Sequence, residues 1–200
     1  MGCNPLIFNA KLRIAWLVLL FLGGCASVAP ELEDPDFVLG GKIGIQRTEL
    51  DGRDAGGSAR FQWVQRGDYY EIDLWGAFGQ GRTRLTGTAQ EMQVTDGAGD
   101  VLLAGPPAEV MLERLGWSLP VAVLPAWLWG LPAPGYPVQG PLQDEEERLA
   151  GFSQLDWQLN LSDYRVIDPL EARYPRRLVL KRPGFSARIV VAERSGNPLI

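Results

Sequence analysis

Few of the 200 side chains are of the kind that make or break bonds, and those few are arranged unhelpfully for catalysis. There is no histidine, which removes serine–histidine and cysteine–histidine nucleophile pairs, imidazole bases and imidazole metal ligands together. Two cysteines, Cys3 and Cys25, are too few for a thiolate zinc site. No glycine-rich loop ends in Lys followed by Ser or Thr, and there is no Gly-x-Ser-x-Gly turn. Gly76-Ala77-Phe78-Gly79-Gln80-Gly81 is rich in glycine, yet no helix-forming pattern follows it, so it lacks the strand–turn–helix setting that cradles a phosphate. The 24 acids show no spacing that marks a catalytic pair. What remains is the thiol of Cys25 and a wealth of apolar side chains. The expectation is a binding protein: no enzyme, no metal and no cofactor.

The surroundings of Cys25 say what its thiol is for. Lys11 and Arg13 precede the apolar run Ile14-Ala15-Trp16-Leu17-Val18-Leu19-Leu20-Phe21-Leu22, the layout of a secretory signal. The run is too short to cross a hydrocarbon core comfortably, which takes about 20 apolar residues. Leu22-Gly23-Gly24-Cys25 then resembles the bacterial lipobox. That resemblance implies cleavage before Cys25, diacylation of its thiol and acylation of the new amino group. Stable anchoring needs more than one chain, each buried CH₂ being worth ~0.8 kcal/mol. Ala26, where Asp would resemble an inner-membrane retention signal, implies sorting to the outer membrane. Residues 1–24 are thus expected to be a signal peptide, 25–35 the lipidated Cys with a tether bearing prolines and acids, and 36–200 a single domain.

Charge argues against a nucleic-acid binder. The net charge is −5, and removing residues 1–24, which hold Lys11 and Arg13 and no acid, leaves −7. Cys25 would then be the last thiol, so no disulfide staples the fold and a core must hold it.

Positioning falls to short elements, because residues 25–200 carry 21 Gly and 14 Pro. Alternation predicts strands over 37–46, 58–65, 69–75, 81–87, 91–95 and 101–103, joined by tight turns as a meander. Gly40-Gly41 marks a bulge or bend. Gly105-Pro106-Pro107 opens a helix with the apolar stripe Ala108, Met111, Leu112, Leu115, closed by Gly116. Ser118 is the predicted cap of a second, nearly all-apolar helix running to Trp129 and kinked at Pro125. Residues 132–150 read as a loop, with Asp144 to Glu147 a solvated acidic run. Strands resume at 151–160, 164–166, 176–182 and 186–193. Strands, two helices, then strands again indicate an α+β, mainly β fold, with a large curved antiparallel sheet and helices in its concavity. Alternation alone leaves the inward face of each strand open, since a one-residue slip inverts it.

One turn is out of character. Trp75-Gly76-Ala77-Phe78-Gly79 joins two strands with apolar residues where turns are normally polar. Phe78 either folds back into the core or protrudes as an apolar tip that meets lipid or ligand.

Several segments in order carry a wider resemblance. Gly41-Lys42-Ile43-Gly44-Ile45, Gly57-Ser58-Ala59-Arg60-Phe61-Gln62-Trp63, Gly76 to Gly81, Leu115-Gly116-Trp117-Ser118-Leu119-Pro120 and Trp127-Leu128-Trp129-Gly130-Leu131-Pro132 follow the lipobox-like stretch. Together they resemble the LolB family of outer-membrane lipoprotein receptors over residues 25–190, most closely 40–135. The resemblance implies an incomplete, unclosed antiparallel β-barrel of about ten or eleven strands, with a lid of short α-helices over an apolar cavity. It also implies a role. The family accepts acylated lipoproteins from the periplasmic carrier LolA, which shares the fold without an anchor. It inserts them into the inner leaflet of the outer membrane without nucleotide hydrolysis.

Carried onto this chain, the membrane-insertion loop is Trp75, Gly76, Ala77, Phe78 and Gly79, with Phe78 where the family usually has Leu. An acyl-chain cavity would be lined by Ile43, Ile45, Phe61, Trp63, Ile72, Leu74, Met92, Val94, Trp127 and Leu128. The implied partners are LolA, acylated lipoprotein cargo and outer-membrane lipid reached through the N-terminal anchor, with the protein a monomer facing the periplasm and no nucleic acid involved. The alternative is another lipid-anchored carrier of an apolar ligand, or an envelope assembly factor. Uptake of cargo from LolA separates the two.

Overall fold

The structure is a computed structural model that describes residues 34–49, 51–76, 81–167 and 172–196, which belong to one compact unit. Cys25 and the signal-like segment lie outside the described residues, as do Ala77, Phe78 and Gly79. Among the described residues, eleven strands form one antiparallel sheet. The first six run as a meander: β1 (Phe37–Thr48), β2 (Asp54–Arg66), β3 (Tyr69–Trp75), β4 (Thr83–Gly87), β5 (Met92–Thr95) and β6 (Val101–Gly105). Two helices follow, α1 (Pro107–Leu115) and α2 (Leu124–Leu128). The chain then returns through β7 (Gln139–Gln143), β8 (Leu149–Gln154), β9 (Trp157–Ile167), β10 (Ala172–Arg182) and β11 (Phe185–Gly196).

The strand order is β6-β5-β4-β3-β2-β1-β11-β10-β9-β8-β7. β1 and β11 therefore pair at the centre, and β6 and β7 are the two edges. The helical segment is the chain that connects these edges, so helices stand where further strand pairing would close a barrel. The expected unclosed barrel and the alternating faces are both present. Phe61 and Trp63, Ile72 and Leu74, Leu178 and Leu180, and Ala187, Ile189 and Val191 all point into the core.

The glycine pair does mark the bulge, but the extra residue sits across from it. Gly40 pairs with Glu193 and Gly41 with Val191, so Ala192 of β11 is left over, while β1 stays in continuous register with β2. A Cβ on Gly41 would fall 2.1 Å from the Val190 carbonyl oxygen and 2.9 Å from the Phe61 ring. Only glycine lets the strands approach so closely there.

Four expectations need correction. First, the buried face of α1 is Val110 and Met111 with Leu115 beside them, whereas Ala108 and Leu112 are exposed. Residues 107, 110, 111 and 115 also recur at helical spacing, and only packing against β5 and β6 chooses between the stripes. Second, the second helix is five residues long. Its N-cap is Val123, without a side-chain cap bond, and Ser118 lies in a non-helical stretch before it. Pro125 stands in the first turn, where proline is tolerated, so it starts the helix instead of kinking it. Third, residues 151–160 span two strands. Leu155 and Asp156 both have positive φ, 52° and 61°, and form a tight turn without the usual glycine or asparagine. The separate strand at 164–166 is the far end of β9. Fourth, β7 lies inside the expected loop. It is an exposed edge strand, and Pro141 is tolerated there because an edge leaves its missing N–H unneeded.

The candidate acyl-chain site

The concave face of the sheet and the underside of the lid meet in an apolar pocket. Ile43 of β1, Phe61 and Trp63 of β2, Ile72 and Leu74 of β3, Leu85 of β4 and Ile189 of β11 form its floor. Met111 of α1, Trp117, Leu119 and Val121 of the connecting stretch, and Leu124 and Leu128 of α2 form its roof. The pocket's open volume is about 40 Å³. That is far below the ~300–1,000 Å³ of a site holding a drug-sized ligand. The lid is therefore down, and its own side chains fill the space.

A second, open cleft of about 320 Å³ adjoins this pocket and shares Ile43, Leu74 and Trp117 with it. Its rim runs from Arg47 and Ser58 to Trp75, Gly76, Gly81 and Thr83. Gly76 and Gly81 bracket the residues that include Phe78, so the base of the apolar turn lies at the mouth of the cleft.

The lid is fastened unevenly. At the α2 end, the buried side chain of Gln154 makes four bonds. Its Oε1 accepts from Trp127 Nε1 at 2.8 Å and from the Ala133 N–H at 2.9 Å, and its Nε2 donates to the carbonyls of Ala133 at 2.9 Å and Tyr136 at 3.0 Å. Trp129 is held edge-on between Phe37 at 6.0 Å and Tyr174 at 4.8 Å, with the Arg194 guanidinium 4.9 Å above it. At the mouth, the chief polar tie is the Arg47 guanidinium, which donates to the Gly116 carbonyl. Gly116 ends α1 with φ 74°, a left-handed cap suited to glycine.

Of the ten cavity residues expected from the sequence, Ile43, Phe61, Trp63, Ile72, Leu74 and Leu128 line the apolar pocket. Ile45 lines the open cleft. Met92, Val94 and Trp127 are fully buried but do not line the apolar pocket, Trp127 being turned to Gln154. Sequence reading missed most of the roof. Trp117, Leu119, Val121 and Leu124 fall in an apolar stretch that was visible, but the overlong helix drawn through it obscured which side chains face down.

Comparison with known proteins decides the family. The profile of the family described as "Outer membrane lipoprotein LolB" matches residues 35–193. The chain belongs to this family. A curated relative named outer-membrane lipoprotein LolB in Chromohalobacter salexigens is 33% identical over 203 residues, covering 92% of this chain and 90% of its own. One of the same name in Alkalilimnicola ehrlichii is 32% identical, covering 95% of this chain and 99% of its own. Another, in Pseudomonas fluorescens, is 37% identical over 155 residues, covering 78% of this chain and 72% of its own. Among solved structures, a LolA superfamily protein from Nitrosomonas europaea is similar with a TM-score of 0.49 and 12% identity, over 84% of this chain and 89% of that one. LolB membership places the chain among the outer-membrane lipoproteins.

Proposed function

We propose that this chain takes acylated lipoproteins from the periplasmic carrier LolA and releases them into the inner leaflet of the outer membrane, itself anchored there through a lipidated Cys25. The apolar pocket under a lid of two short helices, in a LolB-family chain, is the observation that carries the reading. An acyl chain leaving one protein cannot cross water cheaply, since each CH₂ is worth ~0.8 kcal/mol. A pocket that adjoins an open cleft, whose rim carries Gly76 and Gly81, lets a chain slide in or out without full exposure. Direction then comes from graded affinity, weaker in the carrier, stronger here and strongest in the bilayer. No bond in the cargo is made or broken.

The uneven fastening supports an entrance at the mouth. Lifting Trp117 and the end of α1 costs the Arg47 tie, whereas lifting α2 breaks the whole Gln154 set. In this reading Trp75 and Gly76 begin the insertion loop, and Phe78 is its lipid-facing tip.

A handover assay tests it. LolA loaded with a fluorescent acylated lipoprotein is mixed with this protein and then with liposomes, using wild type beside Phe78→Glu. Wild type is expected to strip the carrier and deliver. The variant is expected to accept cargo and fail to deliver. Failure of wild type to take cargo from an active carrier would sink the receptor reading and favour a carrier of some other apolar ligand.

A further inference from the structure

The sheet face turned away from the lid has a pattern that cargo handling does not use. Ile43, Phe61, Leu178 and Ile189 point inward, so their neighbours Lys42, Arg60, Arg177 and Arg188 are exposed on the outer face. The pairing register lines three of them up. Arg177 lies opposite Val190, Val190 opposite Lys42, Lys42 opposite Arg60, and Arg60 opposite Trp75. This is one row across five adjacent strands about 4.8 Å apart. Arg188 flanks it opposite Gly44, which has no side chain to cover it, and Lys181 of β10 extends the charge on the same face.

Two features make this more than a solvated surface. Lys42 and Arg60 are direct cross-strand neighbours of like charge, an arrangement that destabilises a sheet by itself. Among the described residues, none of Lys42, Arg60, Arg177, Lys181 and Arg188 has an ion pair or a side-chain hydrogen bond. The acids nearby on the face, Glu71 and Asp73, are already taken by Arg84 and Arg82. Glu193 stands at the patch's edge, opposite Gly40. A chain of net charge −5 thus gathers uncompensated cations on one face, in a row that ends on the half-buried Trp75 at the rim of the open cleft.

We propose that this row is a docking surface for the phosphate-bearing headgroups of an anionic lipid membrane. It deepens the proposed function, on which it rests for its purpose: docking there brings the mouth of the cleft to the bilayer. Protein-binding surfaces centre on aromatic and arginine anchors packed in desolvated pockets and are depleted of lysine, whereas every cation of this row, Lys42 and Lys181 included, is exposed. Here the centre is cationic and the aromatic stands at the end, the distribution of an interfacial segment with an indole at headgroup depth. Each cation near an anionic surface contributes about fivefold to partitioning at low salt.

The test floats the full chain with vesicles of phosphatidylcholine alone or mixed with phosphatidylglycerol. Wild type is compared with Lys42→Glu/Arg60→Glu/Arg188→Glu, with the glutamine triple, and with the conservative triple Lys42→Arg/Arg60→Lys/Arg188→Lys. Lys11 and Arg13 are constant throughout, so differences between variants read the row. The anionic-over-neutral partition ratio is expected to fall about a hundredfold in the glutamine triple, further in the glutamate triple, and to persist in the conservative one. High salt should collapse the wild-type ratio towards the variants'.

The proposal is overturned if wild type shows no preference, or if both charge-removing variants keep it. Binding to soluble polyglutamate without vesicle preference would also overturn it, in favour of an acidic protein. If the glutamate triple melts far below wild type, the glutamine triple decides. Handover from loaded LolA to neutral vesicles, run alongside, separates the two ideas. A chain that strips the carrier but ignores lipid charge keeps its function and loses this surface, and the converse result does the opposite.

Discussion

Two buried polar side chains on β3 show how differently a sheet treats a satisfied and an unsatisfied group. Asp73 is almost wholly buried, and burial alone would raise its carboxyl. The guanidinium hydrogen bonds of Arg84 and Arg82 outweigh that, at 2.6 to 3.1 Å, and hold it below its ordinary 3.8. Its contribution is therefore complete above pH 3.8 and is withdrawn as pH falls through the lower folded value. Asp73→Asn is expected to cost about 2 kcal/mol near neutrality, with the gap to wild type closing on acidification. Urea melts across that range check it. Tyr70 is the opposite case. Its hydroxyl is buried beside Trp63 without a partner among the described residues, and burial pushes it up from 10.0 to about 12. Tyr70→Phe removes an unpaid desolvation, so its melting temperature is expected to equal or exceed wild type. The stability of wild type relative to this variant should fall as pH rises from 10.0 towards about 12, because the unfolded Tyr70 ionises first.

At the scale of elements, the lid is two helices tied to the sheet with unequal strength. Arg47→Ala removes the strut to Gly116. Amide exchange of the α1 end and the Trp117 stretch is expected to quicken, with little change in melting because Arg47 is partly exposed and a single hydrogen bond nets about 1 kcal/mol. Gln154→Leu strands the Trp127 indole N–H and the Ala133 and Tyr136 backbone groups in the interior, so a global loss of about 3 kcal/mol is expected instead. Hydrogen exchange measured on both variants separates a local opening from a global one. An equal global loss in both would show that the lid moves as one piece and has no preferred entrance.

For the whole molecule, closure matters most. With about 40 Å³ free beneath the lid, no acyl chain fits until the roof moves. A bound acyl probe is expected to speed exchange in residues 116–121 while α2 and its Gln154 anchor stay protected. Uniform slowing across the lid would mean that the chain binds the open cleft without entering the pocket. The topology explains why such movement is tolerable. The helices connect two sheet edges and take no part in the strand-pairing ladders, so displacing them leaves the eleven-stranded sheet intact.

Much of this was legible beforehand because short-range rules carry it. Alternation in 37–46, 58–65, 69–75, 176–182 and 186–193 determines strands, since a half-buried sheet needs one apolar face. The lipobox-like run and the ordered segments from Gly41 to Pro132 indicated the family. Proline and glycine spacing determined where α1 begins and ends. Tertiary structure alone decided the rest. Whether Val110 or Leu112 joins Met111 on the buried face of α1 depends on the strands beneath it. The turn at Leu155-Asp156 has no glycine or asparagine to announce it and follows from pairing on both sides. β7 has no apolar alternation because an edge strand need bury nothing. The row from Arg177 to Trp75 draws on residues scattered from Lys42 to Val190, and only the strand register brings it onto one face.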